Sequence, residues 1–260
     1  MNYQNIIFEK EGAVASIILD KAPRLNSLSR EMIEEIIDAL SRLEEARVLL
    51  LAANGRAFCC GADLSEGTTM EDWSGFDAGA GLESHLNPLV DAIVSLKIPV
   101  VCAVNGAAAG AGASVALACD IVIAARSAYF LQAFVGIGLI PDAGANWTLP
   151  RLAGKARALG MMLLGDRIEA EQAERWGLIW KCVEDEQLMT VATDYACRLG
   201  AGPTQTYGLI RRAARLGLEL GWAETLAMER ECQRSASRTK DFQEGVSAFL
   251  EKRPARFNGR

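Results

Sequence analysis

Pro99-Val100-Val101-Cys102-Ala103-Val104-Asn105-Gly106 is the stretch on which the fold turns. Five apolar residues with no polar alternate, opened by Pro and closed by Asn-Gly, predict a short strand buried on both faces by crossover helices. The same pattern stands at Val48 to Ala52, closed by Asn54-Gly55, and again at Ile121 to Ala124. Between such strands the period changes. Asn26-Ser27 and Ser29 open a predicted helix over residues 30–45, with Met32, Ile33, Ile36, Ile37, Leu40 and Leu43 at helical spacing. A second helix is predicted from Leu86 to Leu96, and the Ala- and Gly-rich residues 107–118 read as a tightly packed third. Upstream, Ile6 to Phe8 and Val14 to Leu19 read as strands joined at Glu11-Gly12. Strand and helix alternate throughout, which defines an α/β core with repeated crossovers.

Past Pro141 the helices gather. They are predicted through about Leu152, at Lys155 to Leu164 and at Glu169 to Trp176, before a last strand at Ile179 to Val183. From Leu188 the chain reads as helical, with breaks at Gly200–Pro203 and Leu216–Gly221. Residues 65–82 are rich in Gly, Thr and Asp and predict an irregular segment. The expected division is an α/β core over 1–197 and a helical region over 198–260.

The 260 residues are 50% hydrophobic and 23% charged, enough for a substantial core. The net charge of −6 argues against non-specific nucleic-acid binding. The charge is uneven: residues 198–260 hold 12 Lys/Arg against 7 Asp/Glu, and the preceding 197 hold 15 against 26. Arg211-Arg212 with Arg215 is the one modest basic cluster in the tail. No secretory pattern and no run of 18 apolar residues is present, so a cytoplasmic protein with no membrane partner is expected. The seven cysteines have neither disulfide-scaffold density nor metal-ligand spacing.

Several chemistries drop out. Gly110-Ala111-Gly112-Ala113 lacks the Gly-Lys-Ser/Thr of a phosphate loop and is misplaced for a dinucleotide fingerprint. It reads either as an anion-holding loop at a helix start or as small residues allowing close packing. No metal site is expected. His85, the single histidine, has no Gly-x-Ser-x-Gly elbow to serve and is expected at a surface or pocket rim. Phe58-Cys59-Cys60-Gly61-Ala62-Asp63-Leu64 follows a buried strand, at the edge where open α/β folds bind ligands. If its backbone N–H groups converge with those of the Gly110 segment, the pair forms an oxyanion hole for a thioester or similar carbonyl.

Taken together, Arg24-Leu25-Asn26-Ser27-Leu28, Phe58 to Leu64, Pro99 to Gly106, Gly110 to Ser114, Asp120-Ile121-Val122-Ile123-Ala124 and Gly138-Leu139-Ile140-Pro141 resemble the enoyl-CoA hydratase/isomerase, or crotonase, superfamily. The likeness runs nearly the whole length. It implies a spiral of repeated β-β-α units followed by a C-terminal helical region that assembles trimers or hexamers and covers coenzyme A. It implies an acyl-CoA thioester substrate, coenzyme A being part of that substrate, and no prosthetic group.

Residue by residue, the resemblance places the oxyanion hole at the N–H groups of Ala62 and Ala111. It places CoA contacts at Arg24, Leu25, Cys60, Ala62, Phe249 and Lys252, and an acyl pocket at Phe76, Leu82, Leu86, Leu89 and Phe134. Hydratases of the family carry two glutamates; the matching positions here are Ser114 and Phe134, neither of which is a base. Asp142 stands where isomerase members carry a lone catalytic carboxylate. A dehalogenase relative uses an aspartate there too, but with a His and a Trp where this chain has Asn87 and Phe134. The expectation is therefore a single-carboxylate acyl-CoA isomerase, with an enoyl-CoA hydratase or a non-catalytic acyl-CoA-binding protein as the alternatives. The isomerase would rearrange a ring-epoxidised phenylacetyl thioester to an oxepin, shift a 3-enoyl thioester to the 2-enoyl form, or both. Without the resemblance, Asp142 would read as an acid capping the helix after Pro141.

Overall fold

The computed structural model describes residues 3–63, 75 and 77–260. These residues build two sheets. The larger has the order β1-β2-β3-β5-β7-β10, from β1 (Ile6–Glu11), β2 (Val14–Leu19), β3 (Val48–Ala53), β5 (Val100–Val104), β7 (Ile121–Ala125) and β10 (Lys181–Val183). The smaller is β4 (Ala57–Cys59), β6 (Ala107–Ala109), β8 (Tyr129–Leu131) and β9 (Ile168–Glu169). The β1–β2 hairpin is antiparallel; β2, β3, β5, β7 and β10 run parallel, with Leu49 beside Val100 and Val101 beside Ile121.

Each turn of the chain repeats one unit: a strand in the large sheet, a corner, a short strand in the small sheet, then helix. β3–β4, β5–β6 and β7–β8 are three such turns, which makes the molecule the expected spiral. The corners stack through side-chain amides. Asn105 Nδ2 donates to the Gly55 carbonyl (2.7 Å), and Asn26 Nδ2 donates to the carbonyls of Asn54 (2.8 Å) and Ala57 (2.9 Å). β3 and β5 are buried along nearly their whole length, as their unbroken apolar runs require.

The helices are α1 (Arg30–Ser41), α2 (Ala78–Gly81), α3 (Asn87–Ser95), α4 (Ala111–Leu117), α5 (Ala145–Ala153), α6 (Lys155–Leu164), α7 (Ala170–Trp176), α8 (Leu188–Gly200), α9 (Thr204–Leu216), α10 (Trp222–Ala236) and α11 (Lys240–Glu251). α1 starts where Ser29 Oγ accepts the Met32 N–H, and buries Met32, Ile33, Ile36, Ala39 and Leu40. It stops at Ser41, short of the predicted 45, because Arg42 leaves helical geometry and Glu44 takes a positive φ of 44°. The single helix predicted over 107–118 is instead β6 followed by α4. Ala107–Ala109 pair with β4 and β8, and Gly110 at φ 53°, ψ −128° breaks the chain between the two elements. Strand β8 was not foreseen at all.

α8 packs against β2, β3, β5 and β7 and so belongs to the core; the boundary expected at 197/198 falls inside it. The terminal arm is α9 to α11. α10 has no buried residue, while Trp222, Phe249 and Leu250 stand out at 78%, 83% and 73% exposure. The tail is nonetheless tied down. The buried Asp241 carboxylate accepts the N–H groups of Asn258 (2.7 Å) and Gly259 (2.8 Å), and Arg47 donates to Thr204 Oγ1 (2.8 Å) and to the Gly202 and Phe257 carbonyls. Two of the three arginines in the tail's basic cluster are used internally. Arg211 donates to the carbonyls of Ile93 and Leu96 and pairs with Asp120, and Arg215 donates to the Val94 carbonyl, closing the C-terminal end of α3. Among the described residues no helix is long and apolar enough to cross a membrane.

Candidate active site

The site is assembled where three turns of the spiral end. Pro23 opens a short 3₁₀ turn at Ala22–Arg24, after which Leu25 and Asn26 take left-handed conformations (φ 51° and 54°). The Leu25 carbonyl then accepts the Cys60 N–H (3.1 Å), and the Cys60 thiol lies 3.6 Å from the Arg24 carbonyl oxygen. Four of the residues expected to contact CoA, Arg24, Leu25, Cys60 and Ala62, are thereby brought together. Among the described residues no hydrogen bond or ion pair joins Phe249 or Lys252 to them. Phe249 lines a cavity of about 460 Å³ with Phe242, Val246, Leu250 and Phe257, inside the terminal arm.

Leu28 pairs with Ala62 as an isolated parallel bridge. In that geometry Leu28 donates to the Gly61 carbonyl (2.8 Å) and accepts from the Asp63 N–H (3.2 Å), so Ala62's own N–H is turned to the other side. Ala111 is the first residue of α4, where an N–H has no intrahelical acceptor. Neither N–H donates to a protein acceptor among the described residues. The two segments touch: a Cβ at Gly61 (φ 99°) would come within 3.0 Å of the Ala109 carbonyl oxygen and 3.5 Å of the Ala111 nitrogen. Gly110, at φ 53°, is fixed by donating to the Leu131 carbonyl (2.8 Å).

Phe134 lies on the far side of that loop. Its ring stands 3.7 Å from where a Cβ of Gly110 would be, and it is 7% exposed. Ser114 is buried, and its hydroxyl donates back to the Gly110 carbonyl at 3.3 Å. An apolar ring and an occupied hydroxyl thus stand at 134 and 114, and neither can act as a base. Gln132, between Leu131 and Phe134, has no exposed surface, and neither atom of its amide has a partner. Sequence reasoning missed it; the alternation of β8, carried one residue past Leu131, would have pointed it inward with Phe130.

Asp142 follows Pro141 and precedes α5, which packs against α4. It does not cap α5: that place belongs to Gly144, and no side chain caps the helix. The carboxyl is half-buried, with Oδ1 shut away from water and lacking a hydrogen-bond partner. Burial without a compensating cation pushes its pKa up to about 6. A carboxyl so placed gains and gives up a proton near neutrality.

The remaining expected residues fall as follows. Leu82 is partly buried in a turn of π-helix at Leu82–Leu86, Leu86 is 5% exposed, and Leu89 has no exposed surface and belongs to the core. Phe76 lies outside the described residues. His85 is partly exposed, its Nδ1 2.6 Å from Ser84 Oγ and its Nε2 3.8 Å from Glu34; Ser84 donates to the Ala80 carbonyl, so the pair is no nucleophile and base. Burial pushes the Cys59 thiol up to about 12, which keeps it protonated and unreactive. Among the described residues no cluster of His, Cys, Asp or Glu is arranged to hold a metal ion.

Two backbone donors free of protein acceptors among the described residues can stabilise an enolate, and a half-buried carboxyl with a raised pKa can carry a proton between carbons. The family model described as enoyl-CoA hydratase/isomerase matches residues 9–260. The chain is 46% identical to the 1,2-epoxyphenylacetyl-CoA isomerase of Escherichia coli K12, over 98% of each chain. It is 45% identical to a protein of Rhodobacter capsulatus named as an enoyl-CoA hydratase, over 100% of each. Its fold matches the crystal structure of an enoyl-CoA hydratase/isomerase from Mycobacterium abscessus, at a TM-score of 0.93 and 36% identity over 98% of this chain and 100% of that one. The chain belongs to the enoyl-CoA hydratase/isomerase family, the crotonase superfamily, and is an enzyme of that superfamily.

Proposed function

We propose that the protein is an acyl-CoA isomerase in which Asp142 is the one proton-transferring group. The observation that carries this reading is the half-buried carboxyl of Asp142, whose Oδ1 has no partner and whose pKa is raised to about 6, in a chain that holds Ser at 114 and Phe at 134. The thioester oxygen accepts the N–H groups of Ala62 and Ala111, which draws charge onto it and acidifies the adjacent carbon. With a 3-enoyl thioester, ionised Asp142 takes a proton from C2, a dienolate forms, and the same carboxyl returns the proton at C4. With a ring-1,2-epoxide of phenylacetyl-CoA the same groups hold the thioester while the epoxide opens to the oxepin. The 46% identity to an isomerase of that name favours the aryl substrate and a place in phenylacetate breakdown.

CoA would lie along Arg24, Leu25, Cys60 and Ala62, with Phe249 and Lys252 supplied by the arm. The exposed apolar side chains of that arm favour a homotrimer or a dimer of trimers, in the cytoplasm. The second reading, a hydratase, is favoured by the name of the 45% relative and opposed by the residues at 114 and 134.

Turnover of 3-hexenoyl-CoA, 2-hexenoyl-CoA and enzymatically made epoxyphenylacetyl-CoA, followed by mass spectrometry in the parent and in Asp142→Asn, tests this. Isomerisation lost in the variant supports the reading, and the preferred substrate names its class. Undiminished isomerisation, or hydration as the main reaction, overturns it.

A further inference from the structure

The turn after Pro141 keeps Asp142 off the helix that follows. α5 begins at Ala145 behind Gly144, which offers no capping side chain. An acid close before such a helix ordinarily swings onto its free N–H groups, gaining about 1 kcal/mol. Asp142 does not. Ala143 and Gly144 are successive left-handed residues, at φ 50° and 79°, and they carry the chain past the capping geometry. For Ala143, buried at 4% exposure, that conformation costs about 1 kcal/mol and persists only if its surroundings hold it.

Two bonds close the turn. The Ala145 N–H donates to the Asp142 carbonyl (2.9 Å), and the Asn146 side-chain amide reaches back to the Pro141 carbonyl. The second is the side-chain clamp, and Asn146 is otherwise on the surface.

We propose that Asn146 is a positioning residue for Asp142: its amide, locked to the Pro141 carbonyl, holds the left-handed turn shut and keeps the carboxyl in its half-buried place, off the end of α5. The inference rests on the reading of Asp142 as the proton-transferring group. With the clamp released, the carboxylate reaches the N-terminal N–H groups of α5, which favour its charged form. It then becomes both a weaker base and a displaced one.

The test is an infrared titration of the Asp142 carboxyl in the intact protein, its band assigned by its loss in Asp142→Asn. Asn146→Ala and Ala143→Gly are compared with the parent, with thermal melting to check folding. In the parent the midpoint stands near 6. In Asn146→Ala it falls by a unit or more, and kcat falls about tenfold with KM within twofold, since a small misplacement of the reacting group acts on the transition state. Ala143→Gly, which removes the cost of the left-handed conformation and leaves the clamp in place, keeps the midpoint at or slightly above the parent's. An unmoved midpoint in Asn146→Ala, or one that falls as far in Ala143→Gly, overturns the proposal. If Asp142→Asn still isomerises, the catalytic reading fails, while the titration still decides the clamp.

Discussion

Gly61 and Ala111 sit back to back across two turns of the spiral: a Cβ on the first would stand 3.5 Å from the backbone nitrogen of the second. This contact sets the spacing of the two N–H donors. Gly61→Ala meets both a φ of 99° that alanine resists and the Ala109 carbonyl at 3.0 Å. We expect a loss of about 1–3 kcal/mol in stability and a fall in kcat of about a hundredfold, the size of losing one oxyanion donor. Denaturant titration and steady-state turnover of the preferred thioester measure the two. Turnover within twofold of the parent would remove Ala62 and Ala111 from the mechanism.

Asp142 makes both rate and stability depend on pH. As a base it must be ionised, so kcat/KM rises with pH through a midpoint near 6 and then levels. For stability the direction is opposite. The folded-state pKa lies above the unfolded value of 3.8, so the proton is bound more tightly in the folded chain. The contribution is present in full below pH 3.8 and is lost as pH rises through 6. Asp142→Asn is accordingly more stable than the parent at pH 7.5, by about 1 kcal/mol once water at the half-exposed carboxyl is allowed for, and the difference closes by pH 4. Equal stabilities at pH 7.5 would mean that the carboxyl is not desolvated.

The pair Ser114 and Phe134 predicts what the enzyme does not do. Without a carboxylate at either position Asp142 is left as the one proposed base, and losing the second group of general acid–base help costs about 10²–10⁴ in rate. In H₂¹⁸O, 2-hexenoyl-CoA should yield labelled 3-hydroxyacyl product at least a hundredfold more slowly than the preferred substrate is isomerised. Comparable rates would place a water-activating group elsewhere in the site.

What the sequence disclosed divides along physical lines. Val48–Ala53 and Val100–Val104 are legible because a strand buried on both faces needs an unbroken apolar run, and few other elements tolerate one. Ala107–Ala109 is not legible: alanine favours helix locally, and only pairing with β4 and β8 makes it a strand. The resemblance singled out Asp142, and sequence alone left it as a helix cap. The left-handed turn that separates these readings sits at Ala143, a residue type with no preference for positive φ. Gln132 was invisible for a related reason. A glutamine is read as solvent-facing unless the strand that leads into it is recognised, and three-residue β8, which ends one residue before it, was not.

The last prediction separates structure from surface charge in Arg211-Arg212. Arg211's side chain is 10% exposed, pairs with Asp120 at 2.7 Å and donates to the Ile93 and Leu96 carbonyls at the end of α3. Asp120 in turn accepts the Val100 N–H at 2.7 Å, so one arginine ties arm, helix and central strand together. Arg211→Ala strands a partly buried carboxylate and two helix-end carbonyls, at a cost of about 2–4 kcal/mol. Arg212, one residue on and exposed, should cost less than about 0.5 kcal/mol when replaced by alanine. Denaturant unfolding of the two variants decides it. Were the cluster a polyanion-binding face, both replacements would weaken binding to heparin or RNA and leave stability alone. The internal bonding of Arg211 predicts the reverse, with a large stability loss at 211 and little change in polyanion binding at either position.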